Sequence, residues 1–486
     1  MNRQVRRLAI AFLALYAVLF AWLNVIQVVR ANGYNNNPTN TRSEVRDYGK
    51  PRGQILSADG DVLARSVPAD NSFGRVRVYP EGELFSQVTG FFSFAYGSDG
   101  VEKTYNAELT GKSTAHSVDD IVDLLLDDVT TQDVQVTLSK QVQQVARDAL
   151  GNRKGSVVAI DPRDGSILAL WNFPTFDPNA VSQSDQAAAA QARTLYLLNP
   201  DKPLLQRSYR ETFFPGSTFK IVTAGGGLTS GKVTTDSPSY PFVSSYTPPG
   251  TTSPIRNFGG ETCGGTLFEI LRVSCNTSFA QMGVDIGASQ LVDTAHDFGF
   301  SSVPPIDLPG AEASPIGSTA FFAKNQPLVA QTAIGQNAVK ATPLEMALVA
   351  AAIADHGTVM TPHVMKQILD DKGNVVSTYK PSVWKTALQP GFADTLRDGM
   401  ANVVAHGTAI NLAVPGVPTA GKTGTAQVGD GTSHAWIIGF APIDNPRVAV
   451  AVIVESQKGA SEATGGQVAA PIGRAVLQAA LQAVPQ

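Results

Sequence analysis

The 486-residue sequence predicts a mixed α/β protein of the α+β type that carries one membrane-spanning helix near its N-terminus. Three observations support this fold class. A long apolar run lies near the start of the chain, a strong hairpin pattern occupies Gly155 to Phe173, and helix patterns follow before strand patterns return near the C-terminus. Strands followed by helices and then by further strands indicate one large α+β or mixed α/β domain.

The apolar run extends from Leu8 to Val29, and its only strongly polar members are Asn24 and Gln27. A helix of this length rises about 33 Å, which is enough to cross the hydrocarbon core of a bilayer. A cleaved signal peptide is the alternative, but the run is longer than the roughly 7 to 15 apolar residues of such a peptide. We therefore expect a transmembrane anchor over residues 8–29.

Basic residues decide the expected orientation of this anchor. Arg3, Arg6 and Arg7 precede the apolar run, whereas only Arg30 follows it closely. Because positively charged flanks stay in the cytoplasm, residues 1–7 are predicted to form a cytoplasmic tail and the remainder to be exported. The protein is therefore expected at the plasma membrane, with a single membrane pass and an extracytoplasmic main domain.

The exported part divides into two predicted domains. Residues 31–50 are rich in Asn, Thr and charge and are typical of a juxtamembrane linker. They open a modest N-terminal domain over residues 30–150, with short strands around Gln54–Leu56 and Val76–Tyr79 and an amphipathic helix over Ser139–Leu150. Residues 151–486 are expected to fold as the main domain.

The main domain begins with the hairpin, whose turn is Pro162-Arg163-Asp164-Gly165. Residues 229–265 are crowded with Ser, Thr, Pro and Gly, which indicates a long surface excursion. The remaining predicted elements are helices around Ser217–Gly227, Leu267–Met282 and Pro343–Ala354, strands at Ala435–Ala441 and Val448–Glu455, and a final Ala-rich helix over Ala469–Ala480.

Composition and missing motifs exclude several classes of function. The chain has 37 lysines and arginines against 41 aspartates and glutamates, without a long basic run, which argues against a nucleic-acid partner. Its six histidines lack metal-ligand spacing, and neither a zinc-protease motif nor a phosphate-binding loop occurs. We therefore expect no metal and no cofactor, and a packing or surface role for His434.

A nucleophile beside a possible base is the strongest chemical signal of the main domain. Ser217 and Lys220 are three residues apart in a predicted helix, so the amine can reach the hydroxyl. Two other Ser-x-x-Lys tetrads, at residues 377–380 and 382–385, lie in a β-branched stretch with Pro381 that disfavours a helix. A serine at a helix start is commonly a simple N-cap, so the tetrad alone is a weak signal.

Two further motifs strengthen the chemical interpretation. Ser274-Cys275-Asn276 is the only Ser-x-Asn in the sequence, and Lys422-Thr423-Gly424 is the only Lys-Ser/Thr-Gly. Each alone has an ordinary explanation, as a cap, a turn or a strand end. Their joint occurrence, in this order and after the Ser-x-x-Lys tetrad in one domain that is predicted to be exported, is much harder to explain by such ordinary roles.

The predicted export also leaves two possible states for the two cysteines, Cys263 and Cys275. An oxidising compartment permits a disulfide, and closing a loop of about 13 residues would stabilise the fold by about 3 kcal/mol on the chain-entropy model. Two buried free thiols are the alternative. The sequence leaves both open.

With these motifs the chain resembles the class B penicillin-binding proteins, which are monofunctional D,D-transpeptidases of peptidoglycan synthesis with one N-terminal membrane anchor. Within that class the nearest resemblance is to the penicillin-binding protein A group of actinobacteria, and it covers nearly the whole chain. Other stretches similar to family signatures are Arg52-Gly53-Gln54-Ile55 with Asp59-Gly60 and Leu63-Ala64, Gly100-Val101-Glu102 with Tyr105-Asn106 and Leu109-Thr110-Gly111, Gly155 to Pro174, and Ala341 to Ala347.

The resemblance implies a penicillin-binding transpeptidase or serine β-lactamase-like fold for residues 151–486, with an antiparallel sheet flanked by helices. It implies a pedestal or dimerisation-type domain for residues 30–150. Two departures from the family pattern occur here. The pedestal is short for class B, and Leu56-Ser57-Ala58 stands where more polar residues are usual.

The resemblance also implies a role for each motif residue. Ser217 would be the nucleophile, Lys220 its base and Ser274 a relay of protons to the leaving group. Asn276 would hold Lys220 and a substrate amide, and Lys422 would supply positive charge. Substrate-carboxylate and oxyanion contacts are implied for the strand segment that consists of Thr423, Gly424 and Thr425, together with the backbone N–H of Ser217.

The implied substrates are peptidoglycan stem peptides and their lipid-linked precursor, and the implied inhibitors are β-lactam antibiotics. A glycosyltransferase of cell division or elongation is the implied partner. One alternative is a β-lactamase or D,D-carboxypeptidase, in which water is the acceptor. Another is a non-catalytic β-lactam sensor or divisome scaffold.

Overall fold

The structure is a computed structural model, and it describes residues 3–30, 47–112, 130–428, 431–458 and 465–484. Its N-terminal helix, Arg3–Asn24, continues as a π-helical turn over Val25–Val29. This helix buries no residue, and an 18-residue stretch of it has a mean hydropathy of 2.3. By length and composition it can cross a membrane. Most of the predicted linker, residues 31–46, lies outside the described residues.

Two groups of strands follow along the chain. Those that precede the helix Lys140–Leu150 are β1 (Ile55–Leu56), β2 (Val62–Pro68), β3 (Arg75–Val78), β4 (Phe92–Ser93), β5 (Gly97–Ser98) and β6 (Asp133–Val136). Those that follow it are β7 (Gly155–Ile160), β8 (Ile167–Phe173), β9 (Tyr240–Val243), β10 (Ser245–Tyr246), β11 (Ile255–Arg256), β12 (Cys263–Gly265), β13 (Thr358–Met360), β14 (Met365–Leu369), β15 (Val375–Thr378), β16 (Val383–Thr386), β17 (Ala420–Val428), β18 (Thr432–Ala441) and β19 (Val448–Lys458).

The helices that follow the N-terminal helix differ widely in length. The α-helices are Ser86–Thr89, Gly100–Thr104, Asn106–Leu109, Lys140–Leu150, Pro178–Ser182, Gln186–Leu198, Arg207–Arg210, Lys220–Thr229, Leu267–Arg272, Asn276–Phe298, Thr319–Lys324, Pro327–Ala333, Pro343–Ala354, Pro390–His406 and Ala470–Ala483. Short 3₁₀ turns occupy Gly82–Phe85, Gly216–Phe219, Phe258–Gly260 and Ile410–Leu412, and a π-helical turn occupies Gly465–Ala469.

A five-stranded antiparallel sheet, in the order β17-β18-β19-β7-β8, forms the centre of the main domain. Its inner strands are buried on both faces, because the fully buried helix Pro343–Ala354 contacts β19 and β7 and the helix Ala470–Ala483 contacts β18 and β19. The helix Lys140–Leu150 packs on β8 and on the C-terminal helix. The prediction of an antiparallel sheet flanked by helices is confirmed.

A second, six-stranded sheet has the order β15-β14-β6-β1-β2-β3. Its last four strands come from the predicted pedestal, but β14 and β15 come from residues 365–378 of the predicted main domain, with Met365 opposite Val136. This sheet therefore takes strands from both sides of residue 150. Local periodicity cannot reveal this pairing, because the partner strands are more than two hundred residues apart.

A buried charge cluster holds the pedestal together. Glu102 receives bonds of 2.6 Å from the Nε atoms of Arg52 and Arg77, and all three side chains are buried. Arg52 also donates to Asn106, 2.7 Å away. Burial acts to raise the pKa of Glu102, but the two guanidinium groups overcome it and hold the pKa below its usual value. The two signature stretches of this domain are thus joined by one ion cluster.

One helix prediction is wrong at a point that matters for the site. The sequence predicts a continuous helix from Leu267 to Met282, whereas the structure contains two helices, Leu267–Arg272 and Asn276–Phe298. Between them Ser274 has a φ of 59°, in the left-handed region that residues other than glycine rarely occupy. The break turns Ser274 out of the helical repeat.

Candidate active site

Ser217 lies in the 3₁₀ turn Gly216–Phe219, which runs directly into the helix Lys220–Thr229. Its side chain makes no capping bond there, so it is not the simple N-cap that the sequence also allowed. Gly216 has a φ of 54°, and a Cβ on it would lie 2.6 Å from the carbonyl oxygen of Thr425. Glycine is therefore required where the serine turn meets strand β17.

Lys220 begins the helix behind Ser217 and is fully buried. Its Nζ donates to the carbonyl oxygen of Ser274 at 2.6 Å, to Ser274 Oγ at 3.2 Å and to Asn276 Oδ1 at 2.7 Å. Nζ also lies 5.5 Å from the centre of the Phe279 ring. Three oxygen acceptors thus fix a buried amine, which would be costly to bury without partners.

The Ser274 hydroxyl lies between two lysines. Besides its contact with Lys220, Ser274 Oγ accepts a bond of 2.8 Å from Nζ of Lys422, which also donates to the carbonyl oxygen of Thr423 at 3.0 Å. Ser274 and Lys422 are 3% and 0% exposed. The hydroxyl is therefore placed to pass a proton between the groups on its two sides.

A disulfide holds the Ser274 loop to the preceding surface excursion. Cys275 is bonded to Cys263 on β12, so the structure contains the pairing that the sequence left open. Asn257 adds a second tie, because its Oδ1 accepts the N–H of Thr277 at 2.9 Å. The break between the two helices is thus fixed from outside.

Strand β17 carries the third motif along the edge of the central sheet. Lys422 pairs with Ile438 and Gly424 with Trp436 in the antiparallel register. A Cβ on Gly424 would lie 2.9 Å from the Pro215 carbonyl oxygen, so this glycine also permits close packing of the strand against the serine turn. Thr425 follows with its side chain half-buried.

Two supporting contacts were not predicted from the sequence. The Thr408 and Thr423 hydroxyls lie 2.6 Å apart, and Thr408 follows the helix Pro390–His406. Trp436 Nε1 donates to the carbonyl oxygen of Phe214 at 3.0 Å, which fixes the chain just before the serine turn. Neither residue belongs to a motif, and the only local signal for Thr408 is the Gly407 that ends its helix.

The remaining sequence predictions can be placed in this frame. His434 is 9% exposed, and its ring meets the Phe213 ring edge-on at 5.5 Å, which is a packing position. The tetrads at 377–380 and 382–385 fall in or next to strands β15 and β16 and not in a helix. Among the described residues no cluster of three His, Cys, Asp or Glu side chains could hold a metal ion.

Hydrogen bonds join five of the eight predicted site residues, which are Lys220, Ser274, Asn276, Lys422 and Thr423. Ser217, Asn276 and Thr425 line a cleft of about 830 Å³, which we call the Ser217 cleft. Ser274 lines a neighbouring cavity of about 470 Å³, which we call the Ser274 cavity. A hydroxyl on an open cleft, backed by two buried amines and a second hydroxyl, is an arrangement suited to acyl transfer.

Comparison with known protein families agrees with this geometry. Residues 155–478 match the penicillin-binding protein transpeptidase domain, and residues 52–133 match the penicillin-binding protein A dimerisation domain. The chain belongs to the penicillin-binding protein transpeptidase family. The prediction of a class B penicillin-binding protein near the penicillin-binding protein A group is confirmed.

Individual relatives cover almost the whole chain. It is 38% identical to the peptidoglycan D,D-transpeptidase PbpA of Mycolicibacterium smegmatis over 503 aligned residues, with 99% of each protein covered. It is similar to the ceftriaxone acyl-enzyme complex of penicillin-binding protein A from Mycobacterium tuberculosis, with a TM-score of 0.83, 36% identity, and coverage of 90% of this chain and 100% of that one. It is also similar to the penicillin G acyl-enzyme complex of that protein, with a TM-score of 0.80 and 35% identity. That match covers 89% of this chain and 100% of the other.

Proposed function

We propose that this protein is a serine D,D-transpeptidase that cross-links peptidoglycan stem peptides through an acyl-enzyme on Ser217. The observation that carries the proposal is the bond network from Lys220 through the Ser274 hydroxyl to Lys422, next to a cleft on which Ser217 opens. Relatives named as peptidoglycan D,D-transpeptidases and structures named as β-lactam acyl-enzymes support it.

Acylation begins when Ser217 Oγ attacks the penultimate D-Ala carbonyl carbon of a stem peptide and passes its proton to Lys220. Collapse of the tetrahedral intermediate breaks the peptide C–N bond. The proton reaches the leaving D-Ala nitrogen through Ser274, whose hydroxyl contacts both lysines. General acid–base transfer of this kind contributes about 10² to 10⁴ in rate.

The developing oxyanion has two candidate donors, the backbone N–H groups of Ser217 and Thr425. The close approach of Gly216 to Thr425 supports this assignment, because it brings the serine turn against β17. Each such donor contributes about 3 to 4 kcal/mol to transition-state stabilisation. Thr423 and Thr425, with Lys422 behind them, are proposed to bind the terminal carboxylate.

We further propose that the helix Arg3–Asn24 and its π-helical continuation anchor the chain in the plasma membrane, with residues 1–7 in the cytoplasm and the catalytic domain outside. Three arginines before the apolar run support this orientation. In that position the site faces lipid-linked precursor and nascent peptidoglycan. A glycosyltransferase of septation or elongation is the proposed partner, and residues 30–150 the proposed pedestal.

Intact-mass analysis of the full-length protein in detergent after exposure to labelled penicillin tests the nucleophile. We expect one adduct per chain, which maps to Ser217 and is absent from Ser217→Ala. An unmodified Ser217 in folded wild-type protein would overturn the assignment.

A D,D-pentapeptide or thioester substrate with an added amine tests the acceptor. Cross-linked product is expected. Hydrolysis alone, or fast turnover of penicillin, would instead identify a carboxypeptidase or a β-lactamase. A cell that survives on Ser217→Ala as its only copy would identify a scaffold.

A further inference from the structure

Two cavities adjoin at the loop that carries Ser274. Asn257 and Phe258 line both the Ser217 cleft and the Ser274 cavity, so the two cavities share this part of their walls. Asn257 is held in place, because its Nδ2 donates to the carbonyl oxygens of Val243 at 2.7 Å and Glu261 at 3.1 Å. The Cys263–Cys275 disulfide joins strand β12, which follows this segment of the chain, to the residue after Ser274.

The ionisable side chains that line the two cavities have opposite charge. Among the described lining residues, Arg256 is the one ionisable side chain of the Ser217 cleft, and Glu261 is the one ionisable side chain of the Ser274 cavity. Glu261 is exposed and forms no ion pair with any described residue. Its carboxylate is therefore available to an incoming cation.

The position of the Ser274 cavity suits the acceptor amine, which attacks the acyl carbon after the D-Ala amine has left. Its wall includes Ser274, which contacts both lysines, and Thr408, whose hydroxyl lies against that of Thr423. Thr423 is one of the residues proposed to hold the terminal carboxylate. Because the attacking nitrogen must reach the acyl carbon from the side that the leaving nitrogen vacates, the same cavity serves both.

We propose that the Ser274 cavity is the acceptor site and that Glu261 selects acceptors that carry a primary ammonium group. The inference rests on the proposed transpeptidase function. The Ser217 cleft has Arg256 and no acidic side chain among its described lining residues, and it is left to the donor peptide. Glu261 does not touch the reacting atoms in this scheme, so it acts as a specificity residue.

The transfer balances without any further reactant. The bound ammonium releases one proton to the solvent, and its nitrogen then forms the new amide C–N bond at the acyl carbon. The ester bond from that carbon to Ser217 Oγ breaks, and a second proton moves from the nitrogen to Ser217 Oγ through the Ser274 hydroxyl. One hydrogen stays on the amide nitrogen, and the free serine is restored.

A partition experiment on the full-length protein in detergent tests the proposal. A thioester donor acylates the enzyme, and two acceptors compete with water in parallel reactions: Nα-acetyl-lysine amide, which is cationic, and hydroxylamine, which is uncharged at neutral pH. The readout is the ratio of aminolysis to hydrolysis product. Glu261→Gln is expected to lower this ratio about two- to fivefold for the cationic acceptor, and Glu261→Lys roughly tenfold.

The matched control is Asp236→Asn, which removes an exposed carboxylate from the same surface excursion but from neither cavity wall. It should leave both ratios unchanged. An unaltered cationic ratio in Glu261→Gln overturns the proposal, and so does an equal fall for hydroxylamine, because that would indicate a distorted loop. Penicillin acylation of wild-type enzyme is measured in the same samples, and its absence would contradict the transpeptidase assignment instead.

Discussion

Glu345 is an acid buried in the core of the main domain, and neutralising it should change the pH dependence of stability. It is the third residue of the helix Pro343–Ala354, where its N–H donates to Oγ1 of the N-cap Thr342 at 3.0 Å. Its carboxyl group is fully buried, and neither oxygen has a hydrogen-bond partner among the described residues. Burial raises the pKa of Glu345 to about 8, against a smaller opposing effect of Lys385.

The sign and size of the effect on stability follow from the difference between the pKa of Glu345 in the unfolded and in the folded chain. Between a pKa of 4.5 in the unfolded chain and about 8 in the folded one, the folded state keeps a proton that the unfolded state has released. The free energy of unfolding therefore falls as pH rises through this window, by about 1.4 kcal/mol per pH unit and about 5 kcal/mol in all. The full stability is present below pH 4.5.

Glu345→Gln has no proton to lose and keeps nearly the same volume, so it should lack this decline. We expect the variant to match wild type near pH 4.5 and to exceed it by about 4 kcal/mol at pH 7.5. Unfolding of the full-length protein in detergent, followed at both pH values, measures the difference. The exposed Glu312→Gln controls for net charge. A difference between variant and wild type that does not change with pH would refute the reasoning.

Three further outcomes are expected at the site. Ser274→Ala should slow penicillin acylation by about 10² to 10⁴, and a loss below tenfold would exclude the relay. Gly216→Ala should slow penicillin acylation about 10- to 100-fold. Gly231→Ala is the control, because Gly231 has a similar φ but no atom within 4 Å of an added Cβ, and it should leave the rate unchanged. Equal rates for the two variants would contradict the packing argument. Replacing Cys263 and Cys275 together by serine should lower the free energy of unfolding by about 3 kcal/mol, and an unchanged denaturant midpoint would count against this.

Most of the main-domain core was predictable because its elements are locally periodic. The helix Pro343–Ala354 has the predicted bounds, and the hairpin of β7 and β8 turns where the Pro-Arg-Asp-Gly sequence predicts. The helices Gln186–Leu198 and Pro390–His406 were missed. So was the pairing of β14 with β6, since it depends on contacts between distant segments.

The site motifs could be found in the sequence, but the geometry that joins them could not. A helical hydrophobic pattern crosses residues 267–282 without interruption, and only the tertiary structure explains why the chain leaves the helix at Ser274. Lys220 donates to the carbonyl oxygen and the hydroxyl of Ser274, and Lys422 donates to the same hydroxyl. In a regular helix the Ser274 carbonyl oxygen would accept a helical N–H, and the hydroxyl would point away from the lysines. The left-handed φ of Ser274 costs about 1 to 3 kcal/mol, and the acceptors that it offers to two amines offset this cost. The break in the helix therefore supplies acceptors to Lys220 and Lys422, which are 54 and 148 residues away in the sequence. No local sequence pattern contains that information.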